Sequence, residues 1–163
     1  MINSKNIFII FVSIVAIAAG LWFYSGYKKA PCLPAYENDV KNGQGQTIKI
    51  ADFKGQYVLV SYFQTWCSDC IKELPTIDKL QARVGKNKLA VLMISDESWE
   101  KIEHFKEKYC NTLDFYHSVK TLREQNIRVF PTTYLLNKEG VVIMSKLEGY
   151  DWSSDEAFNK CID

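Results

Sequence analysis

The sequence predicts an α/β fold with a mixed central sheet and helices on both faces, preceded by an N-terminal transmembrane helix and a β-hairpin. Two apolar runs, Tyr57–Phe63 and Leu89–Ile94, are each followed by a stretch with helical spacing, which indicates buried strands connected through helices. Two later strand-like runs flank the turn sequence Asn137–Gly140, which is a strong hairpin signal. The chain has 163 residues, which is enough for one such domain.

Composition and charge argue against nucleic-acid binding and against a charged interaction tail. The formal net charge is +1, with 20 basic and 19 acidic residues, and Lys5 alone precedes the apolar N-terminal segment. The remainder is therefore formally neutral, which leaves no basic surface signal for nucleic acid and no charged tail. The five cysteines are an odd number, so they cannot all pair within one chain.

The N-terminal segment Ile7–Tyr24 contains no charged residue. As a helix it would span about 27 Å, close to the roughly 30 Å of a bilayer's hydrocarbon core. A cleaved signal peptide is the alternative, because small residues that could form a cleavage site lie within it, at Ala16, Ala18 and Ala19. The apolar run continues beyond these alanines, through Leu21–Phe23, and this favours a retained anchor.

The predicted organisation is an N-terminal membrane anchor (or signal segment) and tether at residues 1–30, followed by one domain at residues 31–163. The domain begins with a hairpin around the turn sequence Asn42–Gly45. A helix with Pro75 inside it ends at Gly85. The later elements expected are a helix up to Tyr109, strand 115–117, short helix 121–125, strands 132–136 and 141–144, and helix 153–161.

Two cysteines, Cys67 and Cys70, lie where the first buried strand passes into the helix at residues 71–84. A thiol at a helix N-terminus meets unpaired N–H groups and the positive end of the helix dipole, and both favour the thiolate. Two intervening residues keep the sulfur atoms close enough to form a disulfide. The pair therefore predicts a dithiol that cycles with a disulfide.

Four local patterns carry a resemblance to a known family. They are Trp-Cys-Ser-Asp-Cys at residues 66–70, Pro75 in the following helix, Val-Phe-Pro-Thr-Thr-Tyr-Leu-Leu at residues 129–136 followed by Gly140, and Asp-Phe-Lys-Gly-Gln-Tyr-Val-Leu-Val at residues 52–60. From about residue 33 to residue 162 the chain resembles the thioredoxin fold, and specifically its membrane-tethered bacterial TlpA/ResA-like branch. The resemblance implies a thioredoxin-like mixed sheet.

The resemblance also implies roles for the cysteines and for a glutamate. Cys67 would attack a substrate disulfide, and Cys70 would resolve the mixed disulfide. Glu73 stands three residues after the second cysteine, where the ResA-like branch has a glutamate, and Ser61 stands where cytosolic thioredoxins have a buried aspartate. Glu73 could hold or relay a proton for Cys70, and the alternative is a solvated glutamate on the helix surface.

Three further residues are expected to bind substrate. Trp66 is interpreted as a contact surface beside the sulfur atoms, with core packing as the alternative. The family pattern implies a cis peptide bond before Pro131, which would expose the backbone of Phe130 to an extended substrate segment. The interior of the motif, Ser68 and Asp69, departs from the proline that many members carry before the second cysteine, so no redox potential is predicted.

The function implied is that of a thiol–disulfide oxidoreductase, acting as a membrane-tethered reductase of disulfides in exported proteins. It would contribute to cell redox homeostasis, with cytochrome c maturation as one candidate task. Its partners would be disulfide-containing envelope proteins and a membrane dithiol electron donor. The expected location is the bacterial cell membrane, with a single pass and the catalytic domain on the extracytoplasmic side. No cofactor, metal or nucleic acid is expected.

Two other functions remain open at this point. A thioredoxin-fold chaperone could hold Cu(I) on the two thiolates. Such chaperones resemble one another in a Cys-x-x-x-Cys motif with a downstream histidine, and the Cys-x-x-Cys spacing here argues against that function. The second alternative is a non-catalytic tethered binding module with a static disulfide. The surrounding Trp66, Glu73 and Pro131 make it the weaker hypothesis.

The remaining cysteines and the histidines have less specific signals. An exported location permits one disulfide among Cys32, Cys110 and Cys161, with Cys32–Cys161 and Cys110–Cys161 both open. Lipidation of Cys32 is not favoured, because the residues before it do not resemble a lipobox. His104 is expected on the surface and His117 in a structural position, and neither has the spacing of a metal site with the cysteine pair.

Overall fold

A computed structural model describes residues 4–27, Ala30 and residues 39–162. The α-helices are α1 (Ser4–Tyr27), α2 (Ser68–Val84), α3 (Trp99–Tyr109) and α4 (Asp155–Asn159). The strands are β1 (Asp39–Lys41), β2 (Thr47–Lys49), β3 (Tyr57–Tyr62), β4 (Leu89–Ser95), β5 (Asp114–Ser118), β6 (Thr132–Leu136) and β7 (Val142–Leu147), and a 3-10 helix covers Ile50–Phe53.

The strands form one sheet of seven in the order β2-β1-β5-β4-β3-β6-β7. Strands β3, β4 and β5 are parallel, whereas β1 pairs antiparallel with β5, and β6 and β7 add antiparallel strands at the other side. The sheet is therefore mixed, as the sequence predicts. Strands β1 and β2 form a hairpin in which Asn42 accepts the N–H groups of Gln44 and Gln46 through its side chain.

Strand β3 lies inside the sheet, between β4 and β6, and its two faces meet two different buried clusters. Its alternate residues Tyr57 and Leu59 belong to one cluster, together with Phe63, which directly follows the strand, and with residues of α2, α3 and α4. Val60 and Tyr62 belong to the other, which is closed by Ile50 of the 3-10 helix and by turn residues rather than by an α-helix. Helices α2, α3 and α4 therefore cover one face, and the expected α-helices on both faces are not found among the described residues. All residues of β3 are buried, which explains why its sequence is apolar almost without interruption.

Two expectations about helices need correction. Residues 122–126 form turns and not the short helix expected at 121–125. Glu124 accepts both the N–H and the hydroxyl of Thr121, and such local side-chain bonds compete with a helix that is too short to nucleate alone. The segment expected to be helical from 153 to 161 is shorter, since α4 covers Asp155–Asn159 and is capped by Ser154.

Helix α2 positions the functional residues, and its two ends are well defined. It begins after Cys67, contains Pro75, and ends at Gly85, whose N–H donates to the carbonyl of Gln81. Gly85 has φ of 100°, a conformation that a side chain would strain. This end therefore depends on glycine, as the sequence predicts.

Helix α1 carries exposed side chains throughout the part whose side chains are described, residue 6 and residues 8–22. Among the described residues, no helix combines the length and the apolar character that a membrane crossing requires. The expected tether around residues 31–38, including Cys32, lies outside the described residues.

Candidate active site

Cys67 and Cys70 form a disulfide at the N-terminus of α2, with 5.3 Å between their Cα atoms. Cys67 is the N-cap residue, and its Sγ accepts the N–H of Cys70 at 3.1 Å. The side chain of Cys67 is 6% exposed and that of Cys70 is 1% exposed. Cys67 is thus the more accessible sulfur, and it lies at the positive end of the helix dipole, where a thiolate is favoured.

The turn before Cys67 is held by the loop that follows β4. Glu97 accepts the N–H of Thr65 at 2.5 Å and its hydroxyl at 3.0 Å. The side-chain amide of Gln64 donates to Asp96 at 2.7 Å. Because these bonds join residues far apart in sequence, they fix the position of the disulfide relative to the central strands.

An aromatic surface lies beside the disulfide. Trp66 is 72% exposed, so the core-packing alternative is wrong. Its ring meets the ring of Phe130 edge to face, with 6.0 Å between centroids. The peptide bond between Phe130 and Pro131 is cis, as expected. The structure therefore brings Trp66, Phe130 and Pro131 to the same end of the sheet.

Glu73 lies beneath the disulfide and is 3% exposed, so the surface alternative is wrong. Three side chains donate hydrogen bonds to its carboxyl group. The indole Nε1 of Trp152 donates to Oε1 at 2.7 Å. Thr133 Oγ1 and Ser61 Oγ donate to Oε2 at 3.1 Å and 3.4 Å. Ser61, which stands where cytosolic thioredoxins have a buried aspartate, thus donates to the carboxyl of Glu73.

Burial raises the pKa of Glu73 from 4.5 to about 7, although the hydrogen bonds from Trp152, Thr133 and Ser61 act in the opposite direction. Loss of hydration disfavours the charged carboxylate more than these donors favour it. The group therefore changes its protonation state near neutral pH. A carboxyl with such a pKa can both accept and release a proton under ordinary conditions.

The carboxyl of Glu73 borders a cleft of about 460 Å³. The lining residues are Asp69, Lys72, Glu73, Thr76, Glu148, Gly149, Tyr150 and Asp151. Lys72 pairs with Asp69 at 2.8 Å, on the rim of this cleft. Glu73 therefore lies at the edge of a cleft, although it is only 3% exposed.

Trp152 and Thr133 are functional residues that sequence reasoning missed. Thr133 lies in the Pro-Thr-Thr pattern, which could have suggested a role next to Pro131. Trp152 follows a turn near the C-terminus, and a buried tryptophan usually finds a partner for its N–H. The sequence contains no signal that this partner is Glu73, which is 79 residues away.

One of the two disulfides left open among the remaining cysteines is corrected by the structure. Cys110 and Cys161 carry free thiols, so the Cys110–Cys161 pairing is not formed. The Cys32–Cys161 pairing falls on Cys32, which lies outside the described residues. Cys161 is buried, and this raises its pKa to about 11, so it remains a neutral thiol. His104 is exposed and His117 is half-buried in β5, as expected. Within the described residues, no group of three or more potential metal ligands lies close together.

A redox-active disulfide at the start of a helix, next to a cis-proline loop and after the central strand of a mixed sheet, defines a thioredoxin-like protein. Residues 31–145 match the AhpC/TSA family, and the chain belongs to this family. The expected thioredoxin-like family is thereby confirmed.

The relatives by sequence include a thioredoxin-like protein and a thiol-disulfide oxidoreductase. The chain is 32% identical over 108 residues to the thioredoxin-like protein YneN of Bacillus subtilis, which covers 63% of each chain. It is 26% identical over 150 residues to the thiol-disulfide oxidoreductase ResA of Bacillus cereus, which covers 83% of each. With these relatives and a Cys-x-x-Cys disulfide, the protein is a thiol–disulfide oxidoreductase.

Two solved structures share the fold. StoA of Bacillus subtilis superposes with a TM-score of 0.59 at 24% identity, covering 74% of this chain and 93% of that one. The thioredoxin domain of a thiol-disulfide oxidoreductase from Bacteroides vulgatus gives a TM-score of 0.64 at 20% identity, covering 81% and 96%.

Proposed function

We propose that this protein is a membrane-tethered reductase of disulfides in exported proteins, and that Cys67 and Cys70 carry the electrons. The observation that carries the proposal is the disulfide at the N-terminus of α2 with the buried carboxyl of Glu73 beneath it. A cysteine pair that served only to staple the fold would not need a proton acceptor with a pKa near neutrality.

The reaction begins with the reduced protein. The thiolate of Cys67 attacks one sulfur of a substrate disulfide, forms a mixed disulfide and releases the other substrate sulfur as a thiolate. Cys70, as thiolate, then attacks the sulfur of Cys67. This step closes the Cys67–Cys70 disulfide and releases the second substrate sulfur, so two electrons have passed to the substrate. A membrane dithiol donor returns the protein to its reduced state.

Glu73 is proposed to take the proton from Cys70 in the resolving step. The two residues are three positions apart on α2 and therefore share a helix face. With a pKa of about 7, the carboxylate is a sufficiently strong base to accept a proton at neutral pH and a sufficiently weak one to release it. The cleft lined by Lys72 and Thr76 provides the exit to solvent.

Trp66, Phe130 and Pro131 are proposed to bind the substrate segment next to Cys67. The two aromatic rings form a continuous apolar surface on the exposed side of the sulfur pair. An extended substrate segment could lie across this surface and pair with the backbone at Phe130. These contacts would hold the substrate sulfur in line with Cys67.

Residues 1–30 are proposed to anchor the domain of residues 31–163, with one pass through a bacterial membrane and the domain outside the cytoplasm. Support comes from the uncharged sequence of residues 7–24 and from the exposed apolar side chains of α1, including Phe8, Phe11, Ile14 and Trp22. Such a surface favours contact with lipid or another apolar partner. Substrates in this location would be envelope proteins, apocytochrome c among them.

The test combines a reduction potential with substrate trapping. A reductase should have a potential well below the about −120 mV that is typical of a strongly oxidising dithiol. A Cys70→Ser variant, which cannot resolve a mixed disulfide, should accumulate covalent partners in the cell envelope. The Cys67→Ser variant is the matched control and should accumulate far fewer. A strongly oxidising potential, or equal trapping by both variants, would contradict the proposal.

A further inference from the structure

We propose that a basic groove beside Cys67 selects substrate segments that carry a carboxylate next to the reactive cysteine. This inference rests on the proposed reductase function and specifies its substrate. The basic groove has a volume of about 450 Å³, and its lining includes Gln64, Trp66, Asp96, Arg123, Arg128 and Phe130.

The basic groove lies next to Cys67 in the chain, because Trp66 is one of its lining residues. Trp66 directly precedes Cys67 and forms one wall, and Phe130 forms the adjoining wall at an edge-to-face angle of 89°. A substrate segment that presents its sulfur to Cys67 must therefore pass over these rings and into the groove. The groove is therefore close enough to contact the residues that flank the substrate cysteine.

The cations in this groove have no local partner. Arg123 and Arg128 are both exposed, and neither forms an ion pair or a side-chain hydrogen bond with any other residue in the described ranges. Asp96 is the acidic side chain of the groove, and both its oxygens are occupied. Oδ1 accepts from Gln64 at 2.7 Å, and Oδ2 accepts the N–H of Leu122 at 2.8 Å. Two guanidinium groups remain available to a carboxylate.

A second cleft, the one next to Glu73, has the reverse charge. The cleft next to Glu73 is lined by Asp69, Glu148 and Asp151 as well. Lys72 is the cation among its lining residues, and it is paired with Asp69. An acidic substrate segment is repelled from this cleft and attracted to the basic groove. The charge distribution therefore favours one orientation of the segment across the disulfide.

The test measures the reduction of three short peptides by the full-length reduced protein in neutral detergent. Each peptide contains one internal disulfide, and they differ only in the residues next to the first cysteine, which are Glu, Gln or Lys. Rates are divided by those obtained with dithiothreitol, a neutral dithiol, to remove the intrinsic effect of charge on the disulfide. We expect the Glu peptide to react about fivefold faster than the Gln peptide at low salt, and the Lys peptide to be slowest.

Two charge-neutralising substitutions, Arg123→Gln and Arg128→Gln, should together remove this preference, so that the normalised rates with the Glu, Gln and Lys peptides become equal. Lys160→Gln is the matched control, because Lys160 is exposed and lies outside the groove. It should keep the preference. High salt should weaken the preference in the wild-type protein, since exposed charges are screened. Equal normalised rates for all three peptides, or a preference that survives the double substitution, would overturn the inference.

Failure of the proposed function gives a different result, namely that none of the peptides is reduced. Binding then decides the question about the groove alone. Versions of the Glu and Lys peptides with serine in place of both cysteines are titrated into the oxidised protein and followed by NMR. Selective perturbation of the Trp66 indole N–H by the Glu version supports the inference, and its absence overturns it.

Discussion

At the scale of single residues, Glu73 illustrates how burial and hydrogen bonding compete. Its carboxyl accepts bonds from Trp152, Thr133 and Ser61, and each of these lowers its pKa. Burial nevertheless raises the pKa to about 7, because removal from water penalises the charged form more strongly. The donors prevent a larger shift and so keep the group titratable near neutral pH.

The raised pKa of Glu73 predicts a stability effect with a definite sign. Protonation is favoured in the folded state, so this group destabilises the fold progressively as the pH rises from about 4.5 to about 7, and fully above that range. Glu73→Gln removes the titration. Relative to the variant, the wild-type protein should lose on the order of 3 kcal/mol of unfolding free energy between pH 4 and pH 8.5.

The measurement is urea unfolding of both oxidised proteins at the two pH values. Other groups titrate in the same range, but they contribute equally to both proteins and cancel in the difference. A difference that is independent of pH, or that grows in the opposite direction, would show that Glu73 has an ordinary pKa.

The indole of Trp152 should set the pKa of Glu73. Trp152→Phe keeps an aromatic ring but removes the Nε1–H that donates to Oε1 at 2.7 Å. Loss of a hydrogen bond to the charged form should raise the pKa of Glu73 by about one unit. The carboxyl ¹³C shift of Glu73, followed against pH, reports this directly. Trp99→Phe is the control and should leave the titration unchanged, because Trp99 is the first residue of α3 and its side chain lies against Gly43 of the hairpin turn.

At the scale of elements, helix α2 arranges the site. Cys67 caps it, Cys70 lies in its first turn and Glu73 in the next, so the three residues follow one face at intervals of three. The helix also packs on the central sheet through Leu74, Ile77 and other buried residues. The spacing of sulfur and carboxyl is therefore a property of a rigid element.

The C-terminal end of α2 should be sensitive to any side chain at Gly85. Its φ is 100°, and a Cβ built there would approach the side chain of Asn87 to 2.9 Å. Gly85→Ala should destabilise the fold by about 1–3 kcal/mol, as judged by thermal or urea unfolding. Gly149→Ala is a suitable control, because a Cβ at Gly149 would meet ordinary contacts at 3.7 Å. Equal stability of the two variants would contradict this role.

At the scale of the whole molecule, the site is assembled by two strands of the sheet, helix α2 and the segment after β7. Ser61 lies on β3, Thr133 on β6 and Glu73 on α2, and Trp152 comes from the segment after β7. Ser61 and Thr133 are register partners on paired strands, which places both hydroxyls next to the same carboxyl. The proton acceptor thus depends on pairing between strands that are distant in sequence.

The proposed anchor predicts where the protein is found after cell fractionation. The full chain should sediment with membranes and resist extraction at alkaline pH, because an apolar segment in the bilayer is not released by salt or base. A variant that lacks residues 4–27 should be released into the soluble fraction with its dithiol activity retained. Recovery of the full chain in the soluble fraction would contradict the anchor.

The sequence alone determined the features that depend on neighbouring residues. The position of Cys67 and Cys70 between strand and helix, the end of α2 at Gly85 and the central buried strands all follow from local spacing and periodicity. The sequence did not predict the turns at residues 122–126, because short helices and turns differ little in sequence.

Only the tertiary structure shows that Glu73 is a buried carboxyl group that titrates near neutral pH. Its sequence position is equally compatible with a solvated surface glutamate, and only the burial by neighbouring elements makes it a titratable group near neutrality. Trp152 and Thr133 reach it from 79 and 60 residues away. The placement of Arg123, Arg128 and Trp66 along one groove has the same origin. Such contacts depend on which distant segments of the chain pack against each other, and hydrophobic periodicity does not predict this packing.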